Sequence, residues 1–179
     1  RPQWLEKIFC DINTLKSGAI GKAIVSLYNL KKAKDIHYDS EEVGAHRSDC
    51  DLHHIFPKAA IREYLMTEKK IQDRVSADKI LKKDFNIDSV LNQTWLLSKT
   101  NQNLIGSKNP SEYLKELIDQ NGGGANGRKK VQSLFNDHCV SEKCFEYLLS
   151  DKYFDFIEER RKDIHRELMT TCHIPEIIE

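Results

Sequence analysis

The sequence has 179 residues, of which 39% are hydrophobic and 31% are charged. This size and composition favour one folded domain and argue against a disordered chain. The 28 basic and 28 acidic side chains give a formal net charge of zero, so a surface that binds phosphates must come from local clusters of cations. No apolar run approaches the roughly 20 residues of a membrane-spanning helix, so the sequence predicts no membrane span.

Most of the chain shows helical periodicity. After Pro2, apolar residues on one helical face predict a first helix, and a second apolar stripe follows Gly18; the two sets are Trp4, Ile8, Ile12 and Leu15, then Ile20, Ile24, Leu27 and Leu30. The start RPQWLEKIF has neither a Met nor a signal-peptide pattern, so we expect the chain to be part of a longer protein. Residues 34–48 lose the periodicity and predict a loop.

The middle of the chain predicts two short strands and several helices. The segment DCDLHHIFPK predicts a strand that ends before Pro57, because proline is tolerated only at the edge or end of a strand. A short helix follows Pro57, and further helical turns are expected over 68–84. The segment NQTWLLS (92–98) predicts the second strand, Ser98 is a candidate cap for a helix after it, and Pro110 is placed to begin another.

Glycine interrupts the helical pattern once. The segment NGGGANG (121–127) has four glycines in seven residues, which predicts a mobile loop or hinge. Two amphipathic helices are expected beyond it, the first around Phe145 and Leu148 and the second from Tyr153 to Leu168. We interpret the second, which carries Arg160 and Arg161, as a packing helix rather than as a DNA-reading helix.

The five cysteines are odd in number and widely spread, so reduced thiols are the simpler interpretation. One alternative is a zinc site formed by Cys139, Cys144, Cys172 and His173. Its Cys-x₄-Cys spacing is unusually wide for zinc, and buried thiols explain the same residues.

The adjacent histidines His53 and His54 are the first candidate site residues. Neighbouring side chains of a regular strand point to opposite faces, so the backbone must leave the strand geometry there if both serve one site. Neutral imidazole is a common metal ligand and also a base near neutral pH. One histidine of the pair is therefore a candidate metal ligand and the other a candidate base.

Two asparagines lie downstream, Asn92 before the second strand and Asn101 on the following helix, nine residues apart. An asparagine carbonyl is a hard oxygen ligand suited to Mg²⁺ or Mn²⁺, and its amide group can hold a loop through backbone carbonyls. Histidines on one strand, an asparagine at the next and a second asparagine on a helix are the layout of a ββα-metal finger.

The segments DLHHIFPK and NQTWLLSKTNQNLIGSKNPSEYL, in this order, resemble the HNH or His-Me finger nuclease module. More narrowly, they are similar to the HNH domain that ends GmrSD-type modification-dependent restriction enzymes of bacteria. The resemblance implies a mainly α (α+β) domain, 1–179, built around a ββα-metal core at about 49–115. Helices within 1–48 and 128–172 are expected to supply the rest of the hydrophobic core.

The resemblance also implies roles for individual residues. His54 matches the general base that activates water, and His53 matches a metal ligand. Asn92 matches the asparagine that orients the loop carrying the base. Asn101 matches the second metal ligand; Asn103 is its rival, but the nine-residue spacing from Asn92 favours Asn101.

These roles predict a site with one divalent ion, Mg²⁺ or Mn²⁺ first and Ni²⁺ or Zn²⁺ as alternatives. A site of one histidine and one asparagine lacks a carboxylate, so Asp49 or Asp51 is a candidate helper. Lys99 and Lys108 flank Asn101 and are candidate contacts to DNA phosphates. His46 is a weaker candidate for the same site, and the other isolated histidines are interpreted as solvated or structural.

The sequence thus predicts a metal-dependent DNA endonuclease. The resemblance implies an effector domain of a bacterial, cytoplasmic restriction or anti-phage system, joined to an N-terminal sensor or NTPase domain or subunit. Two alternatives from other classes stay open: a non-catalytic nucleic-acid-binding module that retains the finger, and a zinc-stabilised regulatory domain.

Overall fold

The computed structural model describes residues 19–44 and 48–171 of the chain. Within these ranges the protein is mainly helical with one two-stranded antiparallel sheet, which confirms the predicted mainly α class. The first predicted helix, over residues 4–15, lies outside the described residues. No helix that the structure describes is long and apolar enough to cross a membrane.

The helices of the described residues are α1 Ala19–Leu30, α2 Lys58–Thr67, α3 Arg74–Lys83, α4 Ser98–Thr100, α5 Pro110–Gln120, α6 Gly124–Asp137, α7 Glu142–Leu149 and α8 Tyr153–Thr171. The strands are β1 Cys50–His54 and β2 Gln93–Leu97. A 3₁₀ turn, Val90–Asn92, leads into β2, and a π-helical turn, Asn101–Ile105, continues α4. The element order β1, β2, helix predicted for the middle of the chain is therefore present.

Local sequence signals explain several helix starts. The Asp73 side chain accepts the backbone N–H of Ser76 and begins α3, and the Ser141 hydroxyl accepts that of Cys144 and begins α7. Helix α5 begins with Pro110 and a capping box between Asn109 and Glu112, as the sequence predicts for a proline at the first helical position.

Two predicted details are wrong. Ser98 is not a helix cap, because its hydroxyl donates to the backbone oxygen of Asp49 and to the carboxylate of Asp51 instead. The helical turns expected over 68–84 form only from Arg74 onward, after an irregular segment.

The glycine segment is a turn and a helix start rather than one long hinge. Gly122, Gly123 and Gly124 have φ values of 97°, 66° and 55°, a left-handed backbone that favours glycine. Gly127, in contrast, lies inside α6, where an added Cβ would be 2.5 Å from the backbone oxygen of Ile118 in α5. The fourth glycine therefore permits the close packing of two helices.

Two hydrophobic clusters hold the fold together. The larger one joins α2, α3 and the helices from α5 to α8 around the side chains of Phe56, Tyr113, Phe135, Phe145 and Phe156. The smaller one joins α1, α8 and the outer ends of both strands through residues that include Ile24, Tyr28, Cys50, Leu97 and Ile164. The sheet therefore lies between the two clusters, and this short two-stranded sheet obtains its core from the flanking helices, as predicted.

Candidate functional site

The register of the two strands sets the positions of the paired histidines. His54 lies opposite Gln93 and His53 lies opposite Thr94. The His53 residue retains only 9% of its exposed surface, whereas the side chain of His54 retains 21%. The adjacent imidazoles thus occupy different environments, one enclosed and one at the surface.

Asn92 anchors the turn that follows β1. It is fully buried, and its Oδ1 accepts the backbone N–H of Phe56 at 2.9 Å. Its Nδ2 donates to the backbone oxygens of Phe56 at 3.1 Å and Ile87 at 3.0 Å. The amide therefore satisfies both polar backbone groups of the residue that lies two positions after His54.

Further hydrogen bonds complete this anchoring. The backbone N–H of Ile55 donates to the oxygen of Asn92 at 2.8 Å, and the Tyr113 hydroxyl of α5 donates to the oxygen of Ile55 at 3.0 Å. The four backbone polar groups of Ile55 and Phe56 all have partners within the protein. The end of β1 is consequently held in place before any ligand binds.

His54 is bonded to an acidic residue from the 3₁₀ approach to β2. Its Nε2 lies 3.0 Å from Oδ1 of Asp88, and the Lys58 ammonium lies 2.7 Å from the same oxygen and 2.9 Å from Oδ2. The side chain of Gln93 also approaches His54 Nε2, at 3.4 Å. Although partial burial raises the pKa of Asp88, the hydrogen bonds from Lys58 and His54 hold it below its ordinary value.

His53 has a buried ring nitrogen without a bond. Its Nε2 has no hydrogen-bond partner among the described residues. Burial lowers the pKa of His53, while the negative charges of Asp51 and Asp35 oppose that effect, so the neutral ring is favoured. A neutral, buried imidazole with an unpartnered nitrogen has the protonation state that metal ligation requires.

The carboxylates near His53 also hold the start of α4. Asp35 is fully buried and accepts four hydrogen bonds, from the backbone of His37, Tyr38 and Leu97 and from the Thr100 hydroxyl. Asp51 accepts the Ser98 hydroxyl at 2.5 Å. These bonds tie the start of α4 to β1, which carries His53, and to the loop that carries Asp35.

Asn101 follows directly as the first residue of the π-helical turn and is half-buried. Turns of this kind are rare and are often found at functional sites. Asn103, its rival, is exposed and donates to the Tyr38 hydroxyl at 3.3 Å. Asn103 is therefore engaged by Tyr38, whereas Asn101 directly follows Thr100, whose hydroxyl donates to Asp35.

His53 and Asn101 have the side-chain chemistry of ligands for a divalent ion. The unpartnered Nε2 of His53 offers a nitrogen ligand and the Asn101 amide offers an oxygen ligand, which is a sparse set that leaves positions for water and phosphate. Asp51 is the nearby carboxylate with an exposed position, whereas Asp35 uses both oxygens on internal hydrogen bonds. No group of three or more His, Cys, Asp or Glu side chains in the described ranges is arranged to hold a metal.

The two predicted DNA-contacting lysines form ion pairs. Lys99 lies 2.9 Å from Glu41 and 3.9 Å from the centre of the Tyr38 ring, and its bond to Glu41 raises its pKa. Lys108 lies 2.6 Å from Glu116. A phosphate would have to compete with a carboxylate for each of these ammonium groups.

Helix α8 packs over the approach to β2, as the sequence interpretation expects. Arg160 is fully buried and donates to the backbone oxygens of Leu91 and His138 and to the Tyr28 hydroxyl. His138 is also fully buried; its ring nitrogens lie 2.7 Å from the Thr94 hydroxyl and 2.7 Å from the backbone oxygen of Lys34. This network is structural, and it confirms a structural role for the isolated His138.

Two cysteines of the candidate zinc set, Cys139 and Cys144, belong to different hydrophobic clusters. Cys139 lies in the smaller cluster and Cys144 in the larger one. Burial raises the pKa of Cys139 to about 11 and raises that of Cys144 further, which favours the protonated thiols. Cys172 and His173 lie outside the described residues, as does His46.

Sequence reasoning missed several residues of the site. Asp88 and Gln93 meet His54, and Lys58 meets Asp88, only because β1, the start of α2 and the approach to β2 converge in three dimensions. Asp35 lies in an aperiodic loop with no local signal for its bonds to β2 and α4. The position of Lys58, directly after the HHIFP segment, and the position of Gln93, next to Asn92, are the signals that would have identified two of them.

Comparison with known proteins gives one curated relative. The chain is 32% identical to an uncharacterized protein of Methanocaldococcus jannaschii over an alignment of 132 residues, gaps included, and the alignment covers 65% of this chain. The chain spans 20% of that relative's length. No family model matches the chain, and no solved structure matches it.

Proposed function

We propose that this protein is a metal-dependent DNA endonuclease of the HNH, or His-Me finger, kind. The observation that carries the proposal is the Asn92 amide, which binds both polar backbone groups of Phe56 beside His54. This is the loop-holding role that the sequence resemblance implies for the asparagine. The order of β1, β2 and the helix that bears Asn101 supports the same proposal.

The reaction proposed is hydrolysis of a backbone phosphodiester. His54 takes a proton from a water molecule as the water oxygen bonds to phosphorus, and the bond from phosphorus to the 3′-oxygen breaks. The departing oxygen then receives a proton from solvent. His54 suits the role of base because it lies at the surface end of β1 on a backbone that hydrogen bonds already hold.

His53 and Asn101 would hold the divalent ion. Bound there, such an ion supplies positive charge to the scissile phosphate and to the departing oxygen. The unpartnered Nε2 of His53 is the observation that supports this assignment. Mg²⁺ and Mn²⁺ suit the oxygen of Asn101, and Ni²⁺ and Zn²⁺ suit the imidazole.

The wider biological role is a proposal that rests on the sequence resemblance. We propose that the domain is the effector of a modification-dependent restriction or anti-phage system in the cytoplasm. A sensor or NTPase unit would then license cleavage. Lys99 and Lys108 are the proposed phosphate contacts, with Glu41 and Glu116 as their competitors.

Cleavage of supercoiled plasmid tests the nuclease proposal. The full 179-residue chain would be incubated with plasmid and Mg²⁺, Mn²⁺ or Ni²⁺, with EDTA as the negative control. Loss of a general base reduces the rate by about 10²–10⁴-fold, so His54→Ala should cut far more slowly. Equal rates for the wild type and His54→Ala, or no cutting with any of the three ions, would reject the proposal.

A further inference from the structure

The hydrogen bonds of His54 indicate which of its two ring nitrogens carries the hydrogen. Neutral imidazole has one N–H donor and one nitrogen acceptor, and the partners of each nitrogen decide the arrangement. Nε2 is 3.0 Å from Oδ1 of Asp88. An ionised carboxylate only accepts hydrogen bonds, so the hydrogen in this contact belongs to Nε2.

The environment of Asp88 keeps that carboxylate ionised. Lys58 lies within 2.9 Å of both of its oxygens. Oδ1 is shared, because it receives both the Lys58 ammonium and the His54 ring. The ammonium therefore fixes the carboxylate, and the carboxylate in turn fixes the imidazole.

Gln93 is compatible with this arrangement. The side chain is fully buried, its Nε2 lies 3.4 Å from His54 Nε2, and its Oε1 has no hydrogen-bond partner among the described residues. With the hydrogen on His54 Nε2, rotation of the amide by half a turn brings Oε1 to that hydrogen as a second, longer acceptor beside Asp88.

We propose that Asp88, held by Lys58 and assisted by Gln93, is a positioning residue that fixes His54 as the tautomer protonated on Nε2. The lone pair of the neutral ring then belongs to Nδ1, and this is the atom that accepts the proton of the attacking water. The catalytic part of this inference rests on the proposed nuclease function. The assignment of the tautomer does not depend on that function.

A spectroscopic measurement tests the tautomer without any cleavage assay. Long-range ¹H–¹⁵N correlation on the ¹⁵N-labelled full chain identifies the protonated nitrogen of His54, assigned by its loss in His54→Ala. The spectrum would be recorded at the alkaline end of a pH series, where the nitrogen shifts of His54 no longer change with pH and the ring is neutral. We expect hydrogen on Nε2 in the wild type, and hydrogen on Nδ1 would overturn the proposal.

Two substitutions at Asp88 separate positioning from a general structural effect. Asp88→Ala removes the acceptor and should give a mixture of tautomers. Asp88→Asn keeps an oxygen acceptor, which Lys58 favours at the Oδ1 position, and should largely retain the wild-type tautomer. The matched control is Asp78→Ala, which breaks an aspartate–cation pair with Arg62, at 2.7 Å, but has no hydrogen bond to an imidazole among the described residues.

Cleavage kinetics then test the catalytic part. Loss of the aspartate that orients a catalytic histidine reduces kcat strongly, so Asp88→Ala should lower kcat by about 10–1000-fold. KM should change little, and Asp88→Asn should keep more of the rate than Asp88→Ala, because Lys58 lies nearer to the Oδ1 position and favours the amide oxygen there. Equal kcat for Asp88→Ala and Asp78→Ala, at equal thermal stability, would overturn the positioning role.

The failures of the two proposals are distinguishable. If no variant cuts DNA, the nuclease proposal fails, and the NMR spectra alone then decide whether Asp88 fixes the ring. If the wild type cuts and His54→Ala does not, an unchanged tautomer in Asp88→Ala would reject the role of Asp88 alone.

Discussion

Two buried histidines near Thr94, His138 and His53, differ in whether their ring nitrogens have hydrogen-bond partners. The Thr94 hydroxyl bonds His138, whose two ring nitrogens both have partners. Thr94 lies opposite His53 in the strand register, and His53 Nε2 is buried with no partner among the described residues. Buried polar groups are nearly always hydrogen-bonded, so an imidazole nitrogen without a partner is a candidate ligand-binding atom. The difference is consistent with a structural role for His138 and with the proposed ligand role of His53.

If this comparison is correct, substitutions at satisfied polar groups should reduce stability. Asn92→Ala removes three hydrogen bonds and leaves the backbone groups of Phe56 and Ile87 buried without partners. Each such group costs about 1–3 kcal/mol, so we expect a loss of about 3–9 kcal/mol in the free energy of unfolding. Urea unfolding measures the loss. The control is Asn103→Ala at an exposed position, and equal stabilities of the two variants would contradict the role of Asn92.

His138 should make stability dependent on pH. Burial lowers its pKa to about 4, whereas the unfolded chain has an ordinary histidine pKa of about 6.5. As pH falls below about 6.5, the unfolded state binds a proton that the folded state does not, so stability is lost progressively down to pH of about 4. The loss from this residue is roughly 3 kcal/mol.

The measurement compares the wild type with His138→Gln by urea unfolding at several pH values in that window. The variant should be less stable at neutral pH, but its stability should fall less steeply as the pH is lowered. Parallel curves for the two proteins would show that His138 is not the source of the dependence.

His53 should behave in the opposite way. His53→Leu replaces an unpartnered polar atom with an apolar side chain of similar size, so the free energy of unfolding should stay the same or rise. Loss of even an outer partner of a metal ligand typically reduces metal affinity about 10–100-fold, and loss of the ligand should reduce it at least as much. Calorimetric titration with Mn²⁺, with His37→Leu as the control, measures this. A variant that binds Mn²⁺ like the wild type would remove His53 from the site.

The smallest effects are expected at the two lysines. Lys99 and Lys108 are already paired with carboxylates, so Lys99→Gln and Lys108→Gln should each weaken DNA binding by less than about tenfold. Each lost phosphate contact should reduce the slope of log K against log salt by about 0.9. Fluorescence anisotropy with a labelled duplex in Ca²⁺ gives the slope. The control Lys69→Gln should keep the wild-type slope, and unchanged slopes for both test variants would exclude the lysines as contacts.

The sequence predicted the parts of this fold that depend on local signals. The segment that ends before Pro57 and the segment NQTWLLS located β1 and β2, and Pro110 located the start of α5. The prediction of a loop over the glycine segment was only half correct, because a buried glycine inside a helix and a glycine in a turn look alike in sequence.

The parts of the site that could not be predicted depend on contacts between distant segments. The bond between His54 and Asp88 joins residues 34 positions apart, and that between Leu91 and Arg160 joins residues 69 positions apart. A carboxylate that binds backbone N–H groups has the same sequence signature as any loop aspartate. The assignments of His53 and Asn101 as ligands stay predictions, which the metal titrations test.

The hydrogen bonds of Asp35 also decide how much of the chain must be included if the segment with both strands is transplanted into another protein. Removing segment 34–43 would leave the N–H of Leu97 and the hydroxyl of Thr100 without their acceptor, at the junction between the second strand and its helix. A graft of residues 49–115 alone should therefore lose the geometry of that junction. A chimera that also contains residues 34–43 keeps the hydrogen bonds of Asp35 to Leu97 and Thr100 and is the better starting point for a transferable domain.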